Sequence, residues 1–152
     1  MRALKDPLRW RALLACAWLG VLLCVALIAT PAGFSTLPKE DAGRVAAFIL
    51  AREAATSLVL GMILVVLERH LARHAERQFS AGLMLALGTV FCTVVGYFVL
   101  QPLMVEARAG QGALSFGLTF GQMHAISLGF FGLKGLLVVA LAWRATRSAT
   151  EA

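Results

Sequence analysis

Four blocks of apolar residues, about 11–30, 45–67, 80–101 and 116–143, occupy most of this chain. Each reaches or exceeds the length a helix needs to cross roughly 30 Å of hydrocarbon. Inside that layer every backbone N–H and C=O must find a partner within the protein, so each block is expected to be a helix. The blocks are too long, and their apolar residues too unbroken, for strands. The expected fold is therefore all-α, an integral membrane four-helix bundle, with residues 1–152 forming a single domain. Of the 152 residues, 60% are hydrophobic and 14% charged, where a soluble domain is about half apolar.

The net charge of +6 raises the question of nucleic acid. The basic residues lie at the ends of the apolar blocks, with no polar face interleaved with aromatics, so no nucleic acid is expected as a partner. Their placement fits membrane topology instead. Arg2, Lys5, Arg9 and Arg11 precede the first block, Arg69, Arg73 and Arg77 separate the second from the third, and Arg144 and Arg147 follow the fourth. Only Lys39, Arg44 and Arg108 fall on the other side. The excess places both termini in the cytoplasm, an N-in/C-in arrangement in a bacterial inner membrane, with the lipid bilayer as the immediate partner. Trp10 and Trp143 sit at the same boundary, where an amphipathic indole is stable. The first block has a basic start, but its apolar run exceeds the 7–15 residues of a signal peptide, so it reads as a retained helix. It is expected to end at Thr30-Pro31, because the residue before a proline leaves the α region. Asp41 is then a candidate N-cap for the second helix.

Ionisable residues within the blocks are the candidates for function, since charge in hydrocarbon is costly and points inward. At about 100° per residue, Phe120, His124, Ser127, Phe131 and Lys134 share one stripe of the fourth helix. The second helix offers Arg52 and Glu53, followed by Thr56 and Ser57. Counted from the block boundaries, Arg52 and Glu53 lie roughly 14 Å from the outer end, near the depth of His124. Pairing of His124 or Arg52 with Glu53 is expected, with Tyr97 of the third helix completing a hydrogen-bond network. Lys134 lies deeper, reaching inward or snorkelling to the cytoplasm along its apolar stem.

Helix packing in lipid relies on small residues that let backbones approach. Gly88, Cys92 and Gly96 form one ridge at four-residue spacing, and Gly117, Gly121, Ala125 and Gly129 form a second. Together they predict close contact between the third and fourth helices. A homodimer or a larger membrane complex is a further expectation, since four helices leave little interior for a pathway.

Metal and redox chemistry find weak footing. Cys16, Cys24 and Cys92 have no motif spacing and read as small buried thiols. His70 and His74 stand at i, i+4 in a basic loop, more simply a solvated helical tip. Met62, Met84, Met104 and Met123 are soft donors, but no paired motif gathers them. His124 is the candidate metal ligand. No cofactor is expected, with haem or copper the alternatives. No nucleophile–base arrangement or phosphate loop appears, so no enzymatic activity is read.

In order along the chain come an apolar helix, then Pro31, Phe34, Leu37, Ala42 and Gly43, then Tyr97, Pro102, Arg108, and finally Phe120, His124 and Ser127 spaced as F-x-x-x-H-x-x-S. In this order and spacing, across about residues 11–143, the chain resembles the transmembrane-protein-205-like family, a bacterial four-helix membrane domain. The resemblance implies the fold and no substrate. It implies a remote similarity to copper-resistance membrane proteins and to a haem-containing membrane protoporphyrinogen oxidase. The family's asparagine beyond its serine has no clear counterpart here, where Phe131 and Lys134 stand. Taken together, the expectation is a polar intramembrane site of Arg52, Glu53, Tyr97, His124, Ser127 and Lys134, handling a proton, a metal ion or a small solute. The alternative is a membrane scaffold or accessory subunit in which these residues only lock the bundle.

Overall fold

A computed structural model of the chain describes residues 6–74, 79–108 and 117–150. Arg2, Lys5, Arg77, the block boundary at 116 and the side chain of Arg108 lie outside what it describes. The described residues form four helices long and apolar enough to cross a membrane, the architecture of a multi-pass membrane protein. They are α1 (Pro7–Thr36), α2 (Lys39–His74), α3 (Ala81–Glu106) and α4 (Phe120–Arg147). Successive helices pack in a ring: α1 on α2, α2 on α3, α3 on α4, and α4 back on α1. In this up-and-down order both chain ends lie on one side, and α2 faces α4 across the bundle axis.

Local chemistry sets the helix starts. Asp6 caps α1, its carboxylate accepting from the Leu8 amide at 3.0 Å with Pro7 at the first helical position, where a missing N–H costs nothing. Ser80 caps α3 by accepting from the Leu83 amide at 3.0 Å. At α4, Thr119 and Gln122 cap each other's backbone: the Thr119 amide donates to Gln122 Oε1 at 2.9 Å, and the Gln122 amide to Thr119 Oγ1 at 3.3 Å. This is a capping box. Asp41 is not a cap: α2 begins at Lys39, with the Ala42 amide already bonded to the Pro38 carbonyl at 2.9 Å. Glu40 and Asp41 fill the first turn instead, where negative charge meets the positive end of the helix dipole.

α1 also continues where a stop was expected. It passes through Pro31 to Thr36, preceded by a π turn at Val25–Ala29. A proline within a helix removes one hydrogen bond and crowds the carbonyl four residues back. Widening the preceding turn to i→i+5 bonding makes room for the ring. α3 does the same, with a π turn at Val94–Val99 ahead of Pro102.

Below these turns the four helices close on one apolar core, built around Trp18, Leu22, Leu64, Ala86, Val138 and Leu141. It occupies the half of the bundle that carries the termini. Beyond the turns, among the described residues, Thr30–Thr36 packs only on α2 within its own hairpin, and Leu100–Arg108 only on α4. The two hairpins therefore separate toward the far end. The outward surface is apolar, with Leu27, Ile28, Val66 and Leu136 each more than 60% exposed, as lipid contact requires.

Candidate functional site

The centre of the bundle holds an ion pair. Lys134 Nζ donates to both oxygens of Glu53, at 2.7 and 2.8 Å, and the two residues are only 3% and 4% exposed. The contact reaches across the axis from α4 to α2. Ser57, one turn along α2, donates from its hydroxyl to Glu53 Oε1 and lies 3.4 Å from Lys134 Nζ. Trp18 of α1 donates from Nε1 to Ser57 Oγ at 2.8 Å. The Phe131 ring, 4.8 Å from Lys134 Nζ, covers the ammonium and adds a cation–π contact. Three helices thus join in one network around this carboxylate, α1 reaching it through Ser57. Buried Thr89 and Thr93 of α3 satisfy themselves by bonding back to Ala86 and Thr89 carbonyls at 2.7 and 2.9 Å.

The true helix starts explain why Lys134 is the partner. Counted from Lys39 and Phe120, Glu53 and Lys134 both lie fourteen residues into their helices, about 21 Å at 1.5 Å per residue. His124 lies only four residues in, about 6 Å. Block boundaries drawn from hydropathy shortened α2 at its start and lengthened α4, which brought His124 level with Glu53 on paper.

The other expected site residues lie apart from the pair. His124 is exposed, its ring stacked on Phe120 at a centroid distance of 6.0 Å. Arg52 is exposed on the outward face of α2, its guanidinium 5.1 Å from the Phe48 ring. Tyr97 sits in the π turn of α3, edge-on to Phe98. Ser127 donates to the Gly96 carbonyl at 2.8 Å, joining α4 to that same turn. Such side chains re-satisfy backbone groups at helix irregularities in membranes.

The glycines divide likewise. A Cβ at Gly96 would sit 2.8 Å from Phe130 Cβ, and one at Gly88 would sit 3.2 Å from Leu137 Cδ1, so this ridge of α3 does meet α4. Gly121 and Gly129 have open space around them and face outward. Gly117 lies in the turn ahead of α4 with φ of 73°, a left-handed conformation that glycine adopts without penalty. The ridge expected along α4 thus lies off the α3 interface, because α4 turns Met123, Phe130 and Lys134 inward.

A family model described as a domain of unknown function (DUF4149) matches residues 13–113, about two thirds of the chain. The chain belongs to this family. No curated protein and no solved structure matches it. Within the ion-pair network, Trp18, Glu53 and Ser57 fall inside the DUF4149 match and Lys134 falls beyond it, as do Phe120, His124 and Ser127.

A second polar cluster, absent from the sequence reading, closes the end of the bundle that carries the termini. Arg11 Nη1 approaches Glu68 Oε1 at 3.4 Å, with both side chains nearly buried. Glu68 also accepts from Ser80 Oγ at 3.5 Å. Its carboxylate lies against Gly82, where any Cβ would overlap it. That carboxylate therefore sits at the positive N-terminus of α3. Arg11 Nε and Nη2 are buried and make no hydrogen bond to a described residue. The missed signal was periodicity: Glu53, Ser57, Gly61, Leu64 and Glu68 share one face of α2 at about 100° per residue.

Cys92 is buried, while Cys16 and Cys24 are exposed. Met123 is 1% exposed beside the exposed His124, so the two side chains diverge. Among the described residues no three of His, Cys, Asp and Glu gather as a metal set.

Proposed function

We propose that this DUF4149 protein is a multi-pass protein of the bacterial inner membrane, both termini cytoplasmic, whose central Glu53–Lys134 pair exchanges a proton. The observation that carries this is the bidentate contact at 2.7 and 2.8 Å between two buried groups of opposite charge. Moving one proton from Nζ to the carboxylate converts the ion pair into a neutral acid and amine, so that neither formal charge remains in the low-dielectric interior. Uptake of a proton by the amine from one side and release of the acid's proton to the other restores the pair and completes the exchange. Ser57 can donate to the carboxylate or accept from the ammonium, so it can follow the shift. The two hairpins separate on the side away from the core. That arrangement supports access to the pair from outside. The basic residues flanking α1, α2 and α4 support the orientation, and the resemblance to the transmembrane-protein-205-like family agrees with a small membrane domain.

Proton flux into liposomes carrying the reconstituted protein tests this, with an imposed potential and an internal pH dye. Glu53→Gln with Lys134→Met removes both charges together and so avoids stranding one of them. The double variant is expected to fold and to lose the flux. Equal flux in wild type and double variant would defeat the proposal.

The second reading is a scaffold, favoured by the Ser127–Gly96 bond and the Trp18–Ser57 bond, which fix helix register. It predicts no flux in wild type together with a large stability loss in Lys134→Met. The haem or copper alternative has a separate readout: an absorbance band or bound metal in purified protein that disappears in His124→Ala.

A further inference from the structure

α2 runs unbroken from Lys39 to His74, so its last residues present H-L-A-R-H on a regular helix. His70 and His74 stand about 40° apart on one face and about one turn apart along it. Both are exposed. Their ring centroids are 4.5 Å apart, with the planes inclined by 76°. Among the described residues, no hydrogen bond or ion pair engages either ring. Two imidazoles are thus held side by side with their nitrogens uncommitted. The pair is no part of the central network: His70 lies about 25 Å along the helix from Glu53 at 1.5 Å per residue.

We propose that His70 and His74 chelate one borderline divalent transition-metal ion, such as Zn²⁺, at the end of α2 nearest the chain termini. Two histidines at i and i+4 on one helical face are the spacing by which a helix sets both on one ion. The separation of the rings fits as well. A metal–nitrogen bond of about 2.0–2.1 Å puts the centroid of its ring about 3.2 Å from the ion. Two such arms meeting at about 90–110°, the octahedral to tetrahedral range, hold the centroids about 4.5–5.2 Å apart. The observed 4.5 Å lies at the near end of that span. The donors also select the ion. Neutral imidazoles suit Zn²⁺, Ni²⁺ and Cu²⁺, whereas Mg²⁺ and Ca²⁺ need oxygen ligands. Arg69 and Arg73 neighbour the pair in the chain, so a cation held by charge alone would be repelled, and the imidazole lone pairs have to hold it. Two protein ligands leave the other positions to water, as in an open site rather than a closed four-ligand one.

The test is isothermal titration of the full chain in detergent with Zn²⁺ at neutral pH, on protein purified through a tag that contains no histidine. Wild type is expected to bind one ion per chain at this pair. His70→Ala and His74→Ala should each weaken binding at least about tenfold, since even an outer-shell partner of a metal ligand is worth about that much. His124→Ala should leave the titration unchanged, and Mg²⁺ should give no saturable heat. Cu²⁺, which imidazole binds more tightly, should couple to two nitrogens in the electron paramagnetic resonance spectrum of wild type and to one in either single variant. Both side chains are exposed, so the variants should fold, which circular dichroism checks. No saturable Zn²⁺ binding by wild type overturns the proposal. So does an unchanged affinity in the folded His70→Ala/His74→Ala double variant, which would place the ion on other donors. If the alanine variants do not fold, the Cu²⁺ spectrum of wild type decides alone: coupling to fewer than two nitrogens overturns the pair.

Discussion

A lysine in the middle of a membrane helix has two physical outcomes, and its neighbours decide between them. Its four-carbon stem can carry the ammonium to an interface, or a carboxylate can hold it in place. Lys134 takes the second course because Glu53 stands at its depth on the opposite helix, with Ser57 and Phe131 filling the remaining directions. Removing one partner strands the other charge. Lys134→Met is therefore expected to cost about 3–5 kcal/mol of stability, and Glu53→Gln/Lys134→Met to recover most of it. A double-mutant cycle of unfolding in detergent measures the coupling, and additive losses would mean that the two groups do not interact. Trp18 offers a milder case. Trp18→Phe keeps the ring but deletes the Nε1 donor to Ser57, and should cost about 1 kcal/mol, the net worth of one such bond. Tryptophan fluorescence of the remaining indoles reports whether the fold survives.

At the scale of the helix, glycines that look alike in sequence behave differently. Gly96→Ala places a Cβ 2.8 Å from Phe130 Cβ, an atom fixed to the α4 backbone. The helices must part, at an expected cost of about 1–3 kcal/mol from overpacking. Gly129→Ala meets open space and should be neutral or slightly stabilising, because alanine is the better helix former. Thermal unfolding of the two variants side by side checks the contrast, and equal effects would mean that α3 and α4 do not approach at Gly96. The capping box at α4 is a further element-scale device. Thr119→Ala should loosen the first turn by about 0.5–2 kcal/mol, seen as faster amide exchange at Phe120–Met123 than deeper in α4.

For the whole molecule, the ring order α1–α2–α3–α4 puts both ends of the chain on one side. With the basic excess on that side, a fluorescent protein fused after residue 152 should mature in the cytoplasm. A periplasmic reporter placed at Lys39 should be active. The opposite pair of results would invert the topology and move the separated half of the bundle to the inner face. The Arg11–Glu68 cluster belongs to this scale too, because it ties α1, α2 and the start of α3 together at the closed end. Gly82→Ala pushes the Glu68 carboxylate off α3, and should open that end without touching the Glu53 network. Faster amide exchange at Leu83–Leu85 than in wild type would register it.

What the sequence determined alone is what depends on composition along the chain: four helices, their membrane character, and the stretches that hold them. Length and hydropathy suffice for that, because hydrocarbon leaves the backbone no alternative to a helix. The identity of the buried residues was also partly legible, since Glu53, Ser57 and Lys134 are ionisable or polar groups in apolar runs. Their pairing was not. Whether Glu53 meets Lys134 or His124 turns on a shift of a few residues in each helix start, and on which helix stands diagonal to which. Capping by Thr119 and Gln122, π turns that let helices pass Pro31 and Pro102, and the closing of the ring set those positions. The capping box is local and its T-x-x-Q pattern stands in the sequence, whereas the π turns and the closing of the ring are not encoded by apolar periodicity, so tertiary structure had to decide them.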